Sequence, residues 1–515
     1  MIARRLSPCC NDWCPSTRPR PQHNADAFTR PQIQMSFRAN VLAMLSGTVL
    51  AQAIPLLVMP LLTRLYSPEA IGLQTLFMGS TAALGVAATC RFDLAAVLPE
   101  RDEDAYQLGA LVLLISAFTT LITLLAIWFF GPFIACRTGY PEFMAWLWLL
   151  PAMMLGTMLT LLGTAYASRE RRFTQVAKAS VANQALYAVV ALAIGYLGAS
   201  TQGLVVAKVL GQWAAVLVIM LACGYGVYRA VCDFDYREIK RLAKHYRQFL
   251  YFNTPYSLIG TVARDMPIFV FSSLGATSAA GFYGLTRTVL LAPTLLISAS
   301  LSQVFFREAV AFKGTPHLQS ITVGLLKLTL LAGAPLFAFC TVWGDVFFDY
   351  VFGAKWQTAG VYAMILAPAA WLALQTGWPE RLFEVAHRQD VSFTIQISAD
   401  IITVAAVILP LALGNSITGA IIGFAVANAS YHIIYLVAIF RVSHFTTKPL
   451  IRALSAGCGV YLMATTALFA LRLAGSPSTL WLILAAILAT IVAAMLGLGQ
   501  WRTIAKILRN QEAAT

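Results

Sequence analysis

The chain has 515 residues, of which 59% are hydrophobic and only 11% are charged, and its net charge is +14. Soluble domains usually carry about a quarter charged residues, so this chain has too few polar side chains to cover a water-soluble globule. A basic net charge also fits nucleic-acid binding, but that function needs a basic face on a folded polar domain. No stretch of this chain is polar enough to form such a domain, so no nucleic-acid partner is expected.

The first 35 residues differ from the rest of the chain. They are rich in Pro, Arg, Cys and Asn and contain no apolar run, a composition typical of disorder. They also lack the apolar core of a signal peptide. Met35 begins MSFRANVLAML, which is typical of the start of a membrane protein. The tail is therefore interpreted either as a real disordered segment or as an extension from a misplaced start codon.

Fourteen apolar segments follow, each close to the about 20 residues that cross a bilayer as a helix. These runs are longer and more continuous than the alternating strands of an outer-membrane barrel. They predict an all-α polytopic membrane protein. The predicted spans are 41–63, 71–90, 106–130, 144–166, 178–199, 203–224, 250–274, 281–305, 321–343, 360–378, 391–413, 418–440, 452–473 and 479–498.

The charges orient these spans. Of the 36 lysines and arginines, 28 lie in the tails and loops on the side of the N-terminus and only four lie in those on the opposite side. This is the positive-inside pattern, which predicts a multi-pass membrane protein with both termini in the cytoplasm. The largest inner loop, 225–249, reads as a basic amphipathic helix, which is expected to lie on the anionic inner leaflet.

Two segments resemble each other across the chain. PLLTRLYSPEAIGLQTLF (60–77) and FSSLGATSAAGFYGLT (271–286) both join two spans through a short turn and align Gly72 with Gly281. An even number of spans in each half makes the repeat parallel, an architecture of transporters with the substrate site between the halves. We expect two six-helix lobes, 36–224 and 250–441, followed by two further helices in 442–500 and a tail, 501–515.

Charged residues inside the predicted membrane region concentrate in two spans. Arg264 and Asp265 lie deep within 250–274, and Arg287 reaches a similar depth in the next span. Such charges usually mark functional sites, so Arg264 and Arg287 are expected to bind an anionic head group and Asp265 to bind an ion or proton. The alternative is a structural ion pair of Asp265 with Arg287. The same predicted helix carries three polar residues that precede these charges at helical spacing and form a polar stripe: Asn253, Ser257 and Thr261.

The other charges near the spans have simpler interpretations. Lys208 and Lys327 lie nearer the ends of their spans, where a long side chain can reach the interface. Arg64 and Arg91 end the first two spans on opposite sides and are either interface anchors or gates to a central cavity. Three aromatic residues are candidates for stacking on sugar rings: Tyr256, Tyr283 and Trp378.

Motifs of enzymes and pumps are missing from the sequence. There is no P-loop, no HExxH and no GxSxG motif, and the cysteines and histidines lack metal-ligand spacing. The longest outer loop, 344–359, is too short to hold a catalytic domain. A secondary transporter or flippase is expected, without a metal or cofactor and without enzymatic activity.

Four segments together resemble one family. They are 60–77, RFDLAAVLPERDEDA (91–105), GFYGLTRTVLLAPTLLISASLSQVFFREA (281–309) and VFGAKWQTAGVYAMILAP (351–368). They are similar to the Wzx-type oligosaccharide or O-antigen flippases of the multidrug/oligosaccharidyl-lipid/polysaccharide exporter superfamily. This resemblance implies two six-helix lobes around a cavity that opens alternately to the cytoplasm and to the periplasm. The implied substrate is an oligosaccharide on undecaprenyl pyrophosphate, and transport is expected to use an ion gradient.

The resemblance also implies cavity arginines on spans 1, 2, 7 and 8, which in this chain are Arg64, Arg91, Arg264 and Arg287. It implies a monomer that contacts membrane lipids, with a polysaccharide polymerase and a chain-length regulator as candidate partners. Two alternatives are a lipid II flippase of the MurJ type and a small-molecule or multidrug exporter. The FGxxWxxAG segment favours the O-antigen branch, and the lack of a mid-membrane acid in spans 1–6 counts against export of cationic drugs.

Overall fold

A computed structural model describes residues 37–141, 143–198, 202–414, 416–475 and 478–512. The predicted disordered tail, residues 1–35, lies outside this part of the chain. Every regular element within the described ranges is helical, and none is a strand. The helices are α1 (Phe37–Leu65), α2 (Pro68–Thr89), α3 (Phe92–Ala95), α4 (Asp102–Thr138), α5 (Phe143–Leu147), α6 (Leu150–Arg169), α7 (Phe173–Tyr196), α8 (Gln202–Cys232), α9 (Tyr236–His245), α10 (Thr254–Ser273), α11 (Thr277–Ala311), α12 (Pro316–Phe352), α13 (Gln357–Ala373), α14 (Arg381–Val385), α15 (Gln389–Ala412), α16 (Ile417–Val442), α17 (Thr447–Ala474) and α18 (Thr479–Glu512).

The long helices coincide with the predicted spans, one for one. Within the described ranges, eleven are long and apolar enough to cross a membrane. The remaining predicted spans fall on α1, on the more polar α10 and on the 17-residue α13. The prediction of an all-α polytopic membrane protein is confirmed.

Helix α2 lies at the centre of the bundle. It packs against α4, α6 and α8 from its own half of the chain and against α10 and α11 from the other half. The start of α2 is well defined, because Ser67 accepts a hydrogen bond from the Ala70 backbone N–H and Pro68 occupies the first turn, both of which favour a helix N-terminus.

The two glycines aligned in the sequence repeat contact each other where α2 and α11 cross. A Cβ atom on Gly72 would overlap the Thr277 carbonyl oxygen and lie 3.0 Å from the Gly281 nitrogen. A Cβ atom on Gly281 would overlap the Pro68 carbonyl oxygen. Only glycine permits so close an approach of two backbones. We name this end of the bundle, where the α1–α2 and α10–α11 turns meet around Gly72 and Gly281, the glycine end.

The linker 225–249 contains the end of α8 and the whole of the amphipathic helix α9. Ile239 and Leu242 are buried in protein, because α9 packs on α4 and Arg241 pairs with Asp104 at 2.8 Å. The charged face of α9 is exposed, and its position on the anionic inner leaflet stays a prediction.

The last two helices pack mainly on α12. Arg472 on α17 binds Asp345 on α12 through two hydrogen bonds of 2.9 and 2.8 Å. Such bidentate pairs are among the strongest side-chain contacts. Helix α18 continues through Glu512, so most of the predicted tail, 501–515, is helical.

Candidate substrate cavity

Two neighbouring cavities lie mainly between helices of the second half of the chain. The first, named here the polar cavity, has a volume of about 380 Å³; its lining includes Arg91, Tyr256, Ser257, Thr261, Arg264, Gln396, Asp400, Asn428 and Tyr431. The second, named the apolar cavity, has a volume of about 230 Å³; its lining includes Arg264, Tyr283, Arg287, Leu290, Leu291, Leu366, Ala369, Ala370, Ala373, Asn428 and His432. Arg264 and Asn428 line both cavities, as does Phe424.

Helix α10 places Arg264 on the cavity side. Ser257, Thr261 and Arg264 follow one another at spacings of four and three residues and therefore share one face of the helix, and all three line the polar cavity. Arg264 lies nine residues before the end of α10 at Ser273, about 13 Å along the helix axis. Part of the polar stripe predicted from the sequence is thus one wall of this cavity, whereas Asn253 is not among the lining residues.

Within the described residues, no hydrogen bond or ion pair joins the Arg264 guanidinium to another side chain. The Arg264 side chain is exposed to the two cavities. An unpaired cation in the membrane interior costs at least a few kcal/mol. The site is therefore suited to an anionic ligand, which would give the guanidinium a direct partner.

Asp265, the next residue, points away from Arg264 because neighbours on a helix diverge by about 100°. It is buried and forms an ion pair with Arg287 of α11. Helix α2 passes close to this pair, since a Cβ atom on Gly79 would lie 3.6 Å from the Asp265 Oδ2 atom. This ion pair is the alternative to an ion site that the sequence predicted. Arg287 nevertheless also lines the apolar cavity.

Arg91 reaches the polar cavity through an unusual turn. Cys90 and Arg91 have φ angles of 43° and 59°, a left-handed conformation that costs roughly 1–2 kcal/mol for each non-glycine residue. The turn directs Arg91 toward α10, where its Nε atom donates to the Ser257 Oγ atom at 2.9 Å. Strain of this kind often occurs at functional sites. The sequence identified Arg91 by its position but contained no signal of the strained backbone.

Arg64, the fourth predicted arginine, lies elsewhere. It is exposed in the last turn of α1 and lines neither of the two cavities. Its carbonyl oxygen and that of Tyr66 accept hydrogen bonds from the Lys355 ammonium at 3.4 and 2.7 Å. Trp356 donates from its indole nitrogen to the Thr63 carbonyl oxygen at 3.0 Å. The α12–α13 connection thus caps the C-terminus of α1, where cations are favoured.

Further contacts close the glycine end. Ser278 donates to the Glu69 carboxylate at 2.6 Å, and Thr277 donates to the Thr138 carbonyl oxygen at 2.9 Å. Partial burial lowers the pKa of Lys355, an effect that the Glu69 carboxylate opposes. Together with the backbone contact of Gly72, these bonds join the two halves of the chain at this end.

Several residues that line or adjoin the cavities were not predicted from the sequence. Asp400 on α15 is buried; its Oδ1 atom accepts from Gln396 at 2.9 Å, and its Oδ2 atom has no hydrogen-bond partner. A charge in the middle of an apolar span was the signal that identified Asp265, and it would have identified Asp400 too. Asn428 and His432 carry no comparable signal, because polar uncharged residues are common in apolar helices.

His432 holds Asn428 in place. Its ring is buried between Asn428, 3.0 Å from Nε2 to Oδ1, and Thr376, 2.9 Å from Nδ1 to Oγ1. Because the Asn428 oxygen can only accept, Nε2 carries the proton in this arrangement. The Asn428 amide nitrogen is then the donor left for a ligand in the cavities.

Of the aromatic candidates for sugar stacking, only Tyr256 is partly accessible in the polar cavity, where it stacks on Phe393 at 5.3 Å between ring centroids. Tyr283 and Trp378 are buried. Within the described residues no group of three or more His, Cys, Asp or Glu residues could hold a metal ion. The arrangement therefore combines cationic and hydrogen-bonding side chains around two cavities.

The sequence matches a known family over much of its length. Residues 61–361 match the model of a family described as polysaccharide biosynthesis protein. No curated protein sequence matches the chain significantly.

The fold is similar to those of solved transporters. One is described as lipid II flippase MurJ in an inward closed conformation, with a TM-score of 0.68 and 12% identity, covering 90% of this chain and 99% of that one. Another is an inward-facing multidrug resistance MATE family transporter of the MOP superfamily, with a TM-score of 0.54 and 16% identity, covering 80% and 96%. A third is a Vibrio cholerae MATE transporter, with a TM-score of 0.50 and 17% identity, covering 78% and 95%. At these identities the likeness establishes the fold, which is that of a helical membrane transporter. From the match over more than half of its length, the chain belongs to the polysaccharide biosynthesis protein family.

Proposed function

We propose that the protein is a flippase for undecaprenyl-pyrophosphate-linked oligosaccharide repeat units. It moves them from the inner to the outer leaflet of the bacterial cytoplasmic membrane for assembly of a surface polysaccharide. The observation that carries this proposal is the unpaired Arg264 guanidinium in a polar cavity within the membrane. A diphosphate would give the Arg264 guanidinium the direct hydrogen-bonded partner that it lacks within the described residues. The family match and the fold support the same function.

The closed glycine end supports alternating access. We infer from the positive-inside pattern that this end faces the periplasm, and on this inference the described conformation is closed to the periplasm. In our proposal the head group enters from the cytoplasm and reaches Arg91, Arg264 and Arg287, while the lipid remains in the bilayer. The glycine end then opens and the opposite end closes. Arg64, at the glycine end, would meet the head group only in that second conformation.

The ion pair of Asp265 with Arg287 offers a route to ion coupling. A diphosphate bound at Arg264 competes for Arg287, and an Asp265 carboxylate that loses its partner gains affinity for a proton or a metal cation. Asp400, whose Oδ2 atom has no partner, is a second candidate for the coupling ion. Either carboxylate can link substrate binding to an ion gradient. In our proposal the protein acts as a monomer and delivers its product to a polysaccharide polymerase and a chain-length regulator.

Deletion of the gene tests the proposed function. We expect loss of surface polysaccharide together with accumulation of lipid-linked repeat units on the cytoplasmic leaflet. Arg264→Ala is expected to behave like the deletion while inserting normally, and Arg264→Lys to retain part of the activity, because an ammonium keeps the charge but not the bidentate geometry. Unchanged polysaccharide in the deletion strain, with increased drug sensitivity instead, contradicts the proposal.

Lipid II transport is the second candidate function, since the fold is similar to that of a lipid II flippase over 90% of this chain. Lipid II also carries a sugar on a polyprenyl diphosphate, so the same arginines would serve it. Complementation separates the two functions. The proposed flippase restores surface polysaccharide in the deletion strain but does not support growth of cells depleted of their lipid II flippase.

A further inference from the structure

Arg264 lies at the boundary between two cavities of opposite character. The polar cavity, on one side, offers Gln396, Asp400 and Tyr431 as hydrogen-bonding groups. The apolar cavity, on the other side, is lined by hydrocarbon side chains of α11 and α13: Leu290, Leu291, Leu366, Ala369, Ala370 and Ala373. A ligand that contacts Arg264 can therefore extend into water-like surroundings in one direction and into hydrocarbon in the other.

We propose that the apolar cavity binds the first isoprene units of the lipid carrier. This inference rests on the proposed function and deepens it. A polyprenyl-diphosphate sugar has three parts in a fixed order, namely sugar, diphosphate and isoprenoid. The site has three parts in the same order, namely the polar cavity, Arg264 with Arg287, and the apolar cavity.

The opposite orientation of the substrate, with the sugar in the apolar cavity and the isoprenoid in the polar cavity, is disfavoured in both cavities. A sugar in the apolar cavity would leave most of its hydroxyl groups without hydrogen bonds, and each such group is costly when buried. An isoprenoid in the polar cavity would remove water from Asp400 and Gln396 without replacing it. The order of the substrate in the site follows from these two costs.

The size of the apolar cavity limits how much of the lipid it can hold. Pockets for whole small ligands usually measure about 300–1,000 Å³, and this cavity measures about 230 Å³. It accommodates the start of the isoprenoid, and the rest of the chain lies in the bilayer. Recognition of the isoprene units next to the diphosphate would let the protein distinguish its carrier from other membrane phospholipids, whose glycerol and ester groups occupy that position.

Binding of two soluble probes tests the inference. Inorganic pyrophosphate reports on the arginines alone, and geranyl diphosphate adds two isoprene units. With the full-length protein in lipid nanodiscs, and after subtraction of uptake by empty nanodiscs, we expect geranyl diphosphate to bind at least tenfold more tightly. Ala370→Phe and Leu291→Trp fill the cavity from two different helices. Each is expected to remove that difference and to leave pyrophosphate affinity within twofold of wild type.

Three outcomes overturn the inference. The first is equal affinity of the wild-type protein for both probes, and the second is an affinity difference that persists in both filled variants. The third is an equal loss of the affinity difference in Ala494→Phe, a control at an exposed position of α18. Retained pyrophosphate binding shows that a filled variant is folded. Failure of the proposed function looks different, because pyrophosphate then fails to bind the wild-type protein or binds Arg264→Ala equally well.

Discussion

Replacement of Gly281 by alanine is expected to open the glycine end. The added Cβ atom would overlap the Pro68 carbonyl oxygen and lie 2.9 and 3.0 Å from the Pro68 carbonyl carbon and the Gly72 nitrogen. These are backbone atoms, so α2 and α11 must separate. Overpacking of this kind costs about 1–3 kcal/mol. The higher helix propensity of alanine acts in both conformations and cancels, so the equilibrium shifts about 5–150-fold toward the conformation with separated helices.

Electron-paramagnetic-resonance distances between spin labels measure this shift. Tyr196 at the end of α7 and Tyr350 near the end of α12 are exposed and belong to different halves of the chain. In a cysteine-free background, Gly281→Ala is expected to add a population with a longer distance between the labels. Gly459→Ala is the matched control, because this helical glycine has no atom within 4 Å of its Cβ position. An unchanged distance distribution in a folded Gly281→Ala protein refutes the reasoning.

Three further predictions concern other contacts. Lys355→Met removes the cation that caps α1. It is expected to shift the conformational equilibrium by about 0.3–1 kcal/mol, so the same label distances should change less than in Gly281→Ala. Lys448→Met, at an exposed position, should leave the distances unchanged, and equal changes in the two lysine variants contradict the cap. Arg472→Met leaves Asp345 without its partner and should destabilise the protein by about 3 kcal/mol. The double variant with Asp345→Leu should recover most of the lost thermal stability, and no recovery contradicts this account. Asp400→Asn removes a negative charge near Arg264, so pyrophosphate binding should be retained or strengthened. Gradient-driven transport in proteoliposomes should be lost. Normal gradient-driven transport in this variant excludes Asp400 as the coupling carboxylate and leaves Asp265.

The positions of the helices followed from the sequence alone. A bilayer of fixed thickness requires apolar runs of a fixed length, so each span could be located without knowledge of its neighbours. The alignment of Gly72 with Gly281 was also visible, because both positions lack a side chain at the same distance from a turn. The depth of Arg264 and Asp265 followed from counting residues along a helix of known rise.

The faces and partners of these residues depended on the tertiary structure. Helix rotation decides that Arg264 lines two cavities while Asp265 pairs with Arg287, and rotation is set by packing against α2 and α11. Packing against α4 also buries Ile239 and Leu242 of α9 in protein. The sequence could determine where each helix crosses the membrane, because the bilayer acts on every helix separately. It could not determine the site, since the cavities exist only between helices that are distant in the chain.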